Sequence, residues 1–142
     1  MKHIFILMLA LVLVSCAATK ESKVLFDNYN TYVSEAKKNK SKLILPMLSR
    51  NRANQINSLG ETQFPVLSEF PNVLYKIAGY YQKLEGKIGC LTINGYGEND
   101  KPIILNIKYI YENKKWGLDF IEIYYADSEK EFQAKGICPN ES

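Results

Sequence analysis

Asp119 and Glu122, in "WGLDFIEIYY", are the carboxylates whose placement could do acid–base chemistry, and they have no histidine to work with. The sole histidine of the 142-residue chain is His3. A segment so close to the amino terminus is expected to be removed. Without an imidazole, neither a Ser-His-Asp nor a Cys-His mechanism can operate, and the commonest nitrogen ligand for zinc is missing. Any catalysis would fall to carboxylate, tyrosine or lysine. Alternating charge on a half-buried strand favours a plainer reading, in which Asp119 and Glu122 face solvent opposite the core.

The three cysteines are the other reactive residues. Cys16 directly follows an apolar run, residues 4–14, that is preceded by the single positive charge of Lys2. A basic start, an apolar stretch and then small residues are the ordered parts of an export signal. The run falls short of the about 20 apolar residues that a membrane-spanning helix needs.

Leu13-Val14-Ser15-Cys16 resembles the lipobox of bacterial lipoproteins. The resemblance implies cleavage before Cys16 and acylation of that cysteine by several chains, which anchor stably where one chain binds reversibly. It also implies sorting to the outer membrane, because Ala17 stands where aspartate would retain the protein. The expected organisation is a removed signal peptide at 1–15, a lipidated tether at 16–22 and one domain at 23–142. The expected location is the cell envelope, with the domain facing the periplasm.

Removal of residues 1–15 leaves 142 − 15 = 127 residues, with 17 basic and 15 acidic side chains. A net charge of +2 with no polybasic tract excludes an electrostatic nucleic-acid binder. With Cys16 acylated, Cys90 and Cys138 remain as a pair. An oxidising compartment favours a disulfide between them over two separate buried thiols. No CxxC motif suggests redox or zinc chemistry, and "NGYGEND" has too few spaced acids for a calcium loop. No metal and no cofactor are expected.

Periodicity supplies the elements that would position these groups. Leu25, Tyr29, Tyr32, Val33 and Ala36 fall on one face of a first helix. "LILPMLSRNRANQINSLG" reads as a second helix, with Pro46 near its start and Gly60 at its stop. A third helix is expected from about Pro71, because Leu74, Ile77, Ala78, Tyr81 and Leu84 recur at threes and fours.

From Lys87 the period becomes two. A strand carries Cys90, a turn-rich "GYGENDKP" follows, and Ile103, Leu105, Ile107, Tyr109 and Tyr111 share one face of the next strand. A turn near Lys114 leads to a return strand. There Trp116, Leu118 and Phe120 have one parity and Ile121, Ile123 and Tyr125 the other, as a bulge or burial on both faces would produce. "FQAKGIC" reads as a possible short final strand.

Helices followed by antiparallel strands define an α+β fold: about three N-terminal helices on a curved antiparallel sheet of about four strands. This order, with the hairpin "YENKKWGLDFIEI", resembles small lipoproteins of the nuclear-transport-factor-2-like (cystatin-like) superfamily. That resemblance implies a cone with a pocket, in which Asp119 or Glu122 could be a general base.

Tyr96, Tyr124 and Tyr125 are candidate binding residues, because ten tyrosines exceed what a core needs and tyrosine is enriched at interfaces. Arg50 and Arg52, the only arginines, are candidates for a partner or anion contact, against a solvated helix end. The expected activity is binding without catalysis, by a membrane-anchored module with a protein partner in the envelope. An inhibitor or immunity protein against a periplasmic enzyme is its most concrete form. A small-ligand carrier and a carboxylate-based enzyme are the alternatives.

Overall fold

The computed structural model describes residues 23–38, 44–60, 67 and 69–140. The expected signal peptide, Cys16 and the tether lie outside the described residues. Among the described residues two α-helices, α1 (Val24–Ala36) and α2 (Arg50–Leu59), precede four strands, β1 (Lys76–Glu85), β2 (Ile88–Tyr96), β3 (Pro102–Glu112) and β4 (Lys115–Tyr125). The strands form one open antiparallel sheet in the order β1-β2-β3-β4. The α+β class and the count of four strands agree with the sequence, but β1 takes the place of an expected helix and "FQAKGIC" forms no strand.

The third helix does not form. Pro71 sits in a 3-10 turn, Phe70–Asn72, and the segment after it is β1. Two influences override the helical spacing. Gly79 weakens a helix interior by about 1 kcal/mol, and the aromatic pair Tyr80-Tyr81 suits a pleated surface. Gly86, at φ 58°, then closes a tight turn that pairs Glu85 with Ile88. An edge strand exposed to solvent has no need of clean alternation, so its apolar residues mimicked a helix.

Residues at positive φ make the turns between the strands. Asn113 and Lys114 (φ 51° and 62°) form the two-residue β3–β4 turn, as the twist of a hairpin demands. Asn99 and Asp100 (φ 57° and 56°) turn β2 into β3.

One sheet face carries the core. Leu91, Ile93, Leu105, Ile107 and Tyr109 pack against Leu25, Tyr29 and Tyr32 of α1 and against Phe70. Strict alternation on β2 and β3 delivers these residues to the same side. On β4 the pairing shifts: Tyr109 faces Leu118 and Lys108 faces Phe120, which leaves Asp119 as an extra, bulged residue. That one insertion resets parity, so Leu118 before it and Ile121 after it both reach the core.

α2 begins later than Pro46, which lies in a 3-10 turn, Leu45–Met47. Ser49 is its N-cap, accepting from the Arg52 amide at 3.1 Å, and Gly60 ends it. Just before the cap, Leu48 bridges Leu118 in parallel, and the Ser49 amide donates to the Leu118 carbonyl at 2.7 Å. A Cβ on Gly117 would meet the Leu48 oxygen and Ser49 nitrogen at 2.7 Å, so this approach requires glycine. The segment covers part of the β4 edge that would otherwise present unpaired backbone.

Past Ala126 the chain crosses the other sheet face as an irregular strap and not as a fifth strand. It lies flat because Gly136 has no side chain: a Cβ there would meet the Cys90 oxygen and Lys83 nitrogen at 2.7 Å.

Candidate functional site

A polar row holds the strap. Thr92, Asn106 and Glu122 are direct cross-strand partners on β2, β3 and β4. The Thr92 hydroxyl donates to Asn106 Oδ1 at 2.8 Å, and Asn106 Nδ2 donates to Glu122 Oε2 at 3.3 Å. Thr92 also accepts from the Ile137 amide at 2.9 Å, while Asn94 exchanges two bonds with the Gln133 backbone, at 2.7 and 3.1 Å. These buried side chains therefore satisfy strap backbone that has no ladder of its own.

Cys90 and Cys138 meet at disulfide distance, with Cα atoms 4.7 Å apart and 48 residues between them in sequence. At the other end of the strap, Glu131 completes a capping box with Ser128. Its carboxylate accepts from the Tyr124 hydroxyl at 2.6 Å and from the Asp127 amide at 2.8 Å. The Tyr124 hydroxyl first, and then the Asp127 and Ser128 amides, hold the Glu131 carboxyl below its ordinary range. The same bond keeps Tyr124 protonated above its ordinary range.

Between β1 and this strap runs a groove of about 910 Å³. Tyr81 and Lys83 of β1, Ile88 of β2, Lys135 and the Cys90–Cys138 bridge line it, and Lys23 closes the end nearest α1. Lys83 pairs with Glu85 at 2.5 Å, both side chains more than half exposed. An exposed pair of this kind is held weakly. The groove thus has a tyrosine and an isoleucine for apolar contact and three lysines against one glutamate. It can hold an extended or anionic ligand.

Apart from Cys90 and Cys138, the site residues singled out from sequence are scattered and do not meet in this groove. Arg50 Nη2 donates to Asn113 Oδ1 at 3.1 Å, and its amide donates to Glu112. Arg52 donates to the Asp119 carbonyl at 2.6 Å and to Gln55 Oε1 at 3.0 Å, over the Phe120 ring. Both arginines fasten α2 to the β3–β4 hairpin. Tyr96 packs edge-on against Phe132 at 5.7 Å and bonds to Glu129, which, more than its burial, raises its hydroxyl above the ordinary range. Tyr96 and Tyr124 therefore clasp the strap. Tyr125, 65 % exposed at the end of β4, is left open to a partner.

Asp119 does not face solvent. It is 8 % exposed, accepts from the Ser49 hydroxyl at 2.5 Å and lies 3.7 Å from Lys108 Nζ. Glu122 belongs to the polar row and borders a separate hollow of about 210 Å³ with Tyr124 and Gln133. The two carboxylates serve different attachments.

The groove itself was missed. Its sequence signals were the Cys90–Cys138 pair, whose bridge carries Lys135 over β1, and Tyr81, one of the tyrosines in excess of a core; the expected third helix hid that Tyr81 and Lys83 share a strand face. No family model, curated protein or solved structure matches the chain.

Proposed function

We propose that the chain is a lipid-anchored envelope protein, held at the outer membrane through Cys16, whose domain works by binding. Its most concrete form is an inhibitor or immunity protein that occupies an enzyme acting in the periplasm. The observation that carries the reading is the groove beside β1. It is the largest of the hollows described above, it joins aromatic and cationic side chains, and its wall is secured by the Cys90–Cys138 bridge.

A pre-formed, stapled surface favours binding, because little ordering entropy remains to be lost on association. The candidate general base Asp119 is engaged by Ser49 and Lys108, which supports a structural role for it. The hollow between α1 and the β3–β4 hairpin, about 120 Å³, is smaller than the roughly 300 Å³ at which small-molecule sites begin. A carrier of the cone type gains no support from it.

Two measurements test the proposal. Mass spectrometry of the protein from membranes should find a chain that starts at an acylated Cys16; an unmodified chain starting elsewhere refutes the anchor. The immobilised protein should recover one dominant envelope partner, and Tyr81→Ser should abolish that recovery. Recovery indifferent to Tyr81→Ser refutes the groove.

A further inference from the structure

Tyr81, Lys83 and Glu85 of β1 stand opposite Thr92, Cys90 and Ile88 of β2. Cross-strand partners share a face, and Thr92 and Cys90 are the residues that hold the strap, through the Ile137 amide and the Cys90–Cys138 bridge. Tyr81, Lys83 and Glu85 therefore rise on the strap side, about 7 Å apart in succession. Ile88, diagonal to Lys83, is a neighbour at about the same spacing. Lys83 thus has an apolar group on either side, Tyr81 and Ile88, both 41 % exposed.

The strap adds a second cation. A Cβ on Gly136 would lie 2.7 Å from the Lys83 nitrogen, so the preceding residue, Lys135, comes down beside Lys83. Both lysines line the groove and both are exposed. Among the described residues that line it, the one carboxylate is Glu85, which pairs with Lys83 at 2.5 Å while its side chain stays 62 % exposed. The groove sets two neighbouring lysines against one weakly held carboxylate.

We propose that Glu85 holds the place of a carboxylate supplied by the partner, which enters the groove with an acidic segment that displaces Glu85 from Lys83 and is shared with Lys135. This rests on the groove being the binding site, and side chains alone carry it. In an extended segment the side chains two residues before and after the acid repeat the spacing of β1, so apolar residues there reach Tyr81 and Ile88. The exchange costs little, because an exposed internal pair contributes at most about fivefold. The incoming carboxylate gains more: it meets two cations, and its apolar neighbours keep water from the contact. Charge chooses this occupant over a second copy, since two lysine-bearing grooves repel when brought face to face.

The test uses the full protein in neutral detergent and a capped peptide in which a single Glu has Val two residues away on each side and Thr elsewhere. Its controls carry Lys for Glu, or place the Glu at one end. The Glu peptide should bind at least about tenfold more tightly than the Lys peptide at low salt, and moving the Glu to the end should weaken it. Glu85→Gln removes the internal competitor and should tighten the Glu peptide by about twofold to fivefold, without tightening the Lys peptide. Lys83→Glu with Lys135→Glu should reverse the charge preference while leaving the unfolding midpoint in place.

Equal affinity for the Glu and Lys peptides, or Glu-peptide binding that is unchanged or weaker in Glu85→Gln, overturns the proposal. So does dimerisation that is lost in the lysine pair, because the occupant is then a second copy. Lysine-dependent uptake of an anionic phospholipid added to the micelles, with no binding of the Glu peptide, also overturns it and assigns the groove to the bilayer surface. If the envelope partner is captured in a Tyr81-dependent way while the peptides show no preference for acid, the groove stands and the acidic ligand falls. If no capture depends on Tyr81, both fall.

Discussion

The Asp119 carboxylate accepts a 2.5 Å hydrogen bond from the Ser49 hydroxyl, which joins the bulge of β4 to the N-cap of α2. One side chain thus ends a helix's unpaired amides while its proton satisfies a carboxylate buried by the bulge. Removing Ser49 leaves the buried carboxylate with Lys108 at 3.7 Å and without its close donor, and removing Asp119 leaves the Ser49 proton without this acceptor.

Ser49→Ala is expected to lower stability by about 1–3 kcal/mol, combining loss of the cap with the cost of stranding Asp119. In a double-mutant cycle by urea denaturation, Ser49→Ala and Asp119→Ala should couple by at least about 0.5 kcal/mol. Additive effects would mean that the two side chains act separately.

The strap depends on its covalent end. Reduction, or Cys90→Ser with Cys138→Ser, opens a loop of 48-residue separation, for which the chain-entropy model gives a loss of about 4 kcal/mol. Hydrogen exchange should accelerate first at Ile137 and Gln133, whose amides bond to Thr92 and Asn94. Uniform acceleration through β3 instead would show that the strap and sheet open as one unit.

Acid should loosen the other end. The folded state holds Glu131 below its ordinary range, chiefly through Tyr124, so its charged form is the one that binds the strap. This stabilisation is present above the ordinary carboxylate range and is lost as pH falls through the depressed folded value. Glu131→Gln should remove the acid sensitivity of exchange at Asp127 and Ser128, whose amides bond to Glu131. Persistence of that sensitivity would place its origin elsewhere.

Alkali tests the core. Burial pushes the Tyr29 hydroxyl from 10.0 up to about 12, and burial also raises Tyr109. The unfolded chain ionises these groups first, so stability is fully present below pH 10.0 and is lost as pH rises through the folded values. Ultraviolet titration should show a late, cooperative tyrosine fraction. Tyr109→Phe should raise stability by about 1 kcal/mol, since Tyr109 is 1 % exposed and its buried hydroxyl has no hydrogen-bond partner among the described residues.

The sheet was more legible than the site, for a physical reason. β2 and β3 bury one face completely, so Leu91, Ile93, Leu105 and Ile107 print a period of two. The parity change of β4 near Phe120 was legible as either a bulge or burial on both faces, and the register shift at Asp119 is the bulge. β1 is an edge strand with both faces partly wet, and burial did not enforce its pattern. The groove needs that strand, a strap 50 residues later and the start of α1 together, a convergence that local spacing does not encode. Arg50 and Arg52 looked available only because their acceptors, on the β3–β4 hairpin, lie more than 60 residues away in sequence.

The most direct test of the binding account is the affinity of the captured envelope partner for the wild-type domain, for Lys83→Glu with Lys135→Glu, and for Tyr125→Ser, measured side by side. The account predicts a dissociation constant of about micromolar or tighter for wild type, at least tenfold weakening (about 1.4 kcal/mol) in the lysine pair, and no change for Tyr125→Ser. Unchanged affinity in the lysine pair with loss in Tyr125→Ser would contradict it and move the interface to the end of β4.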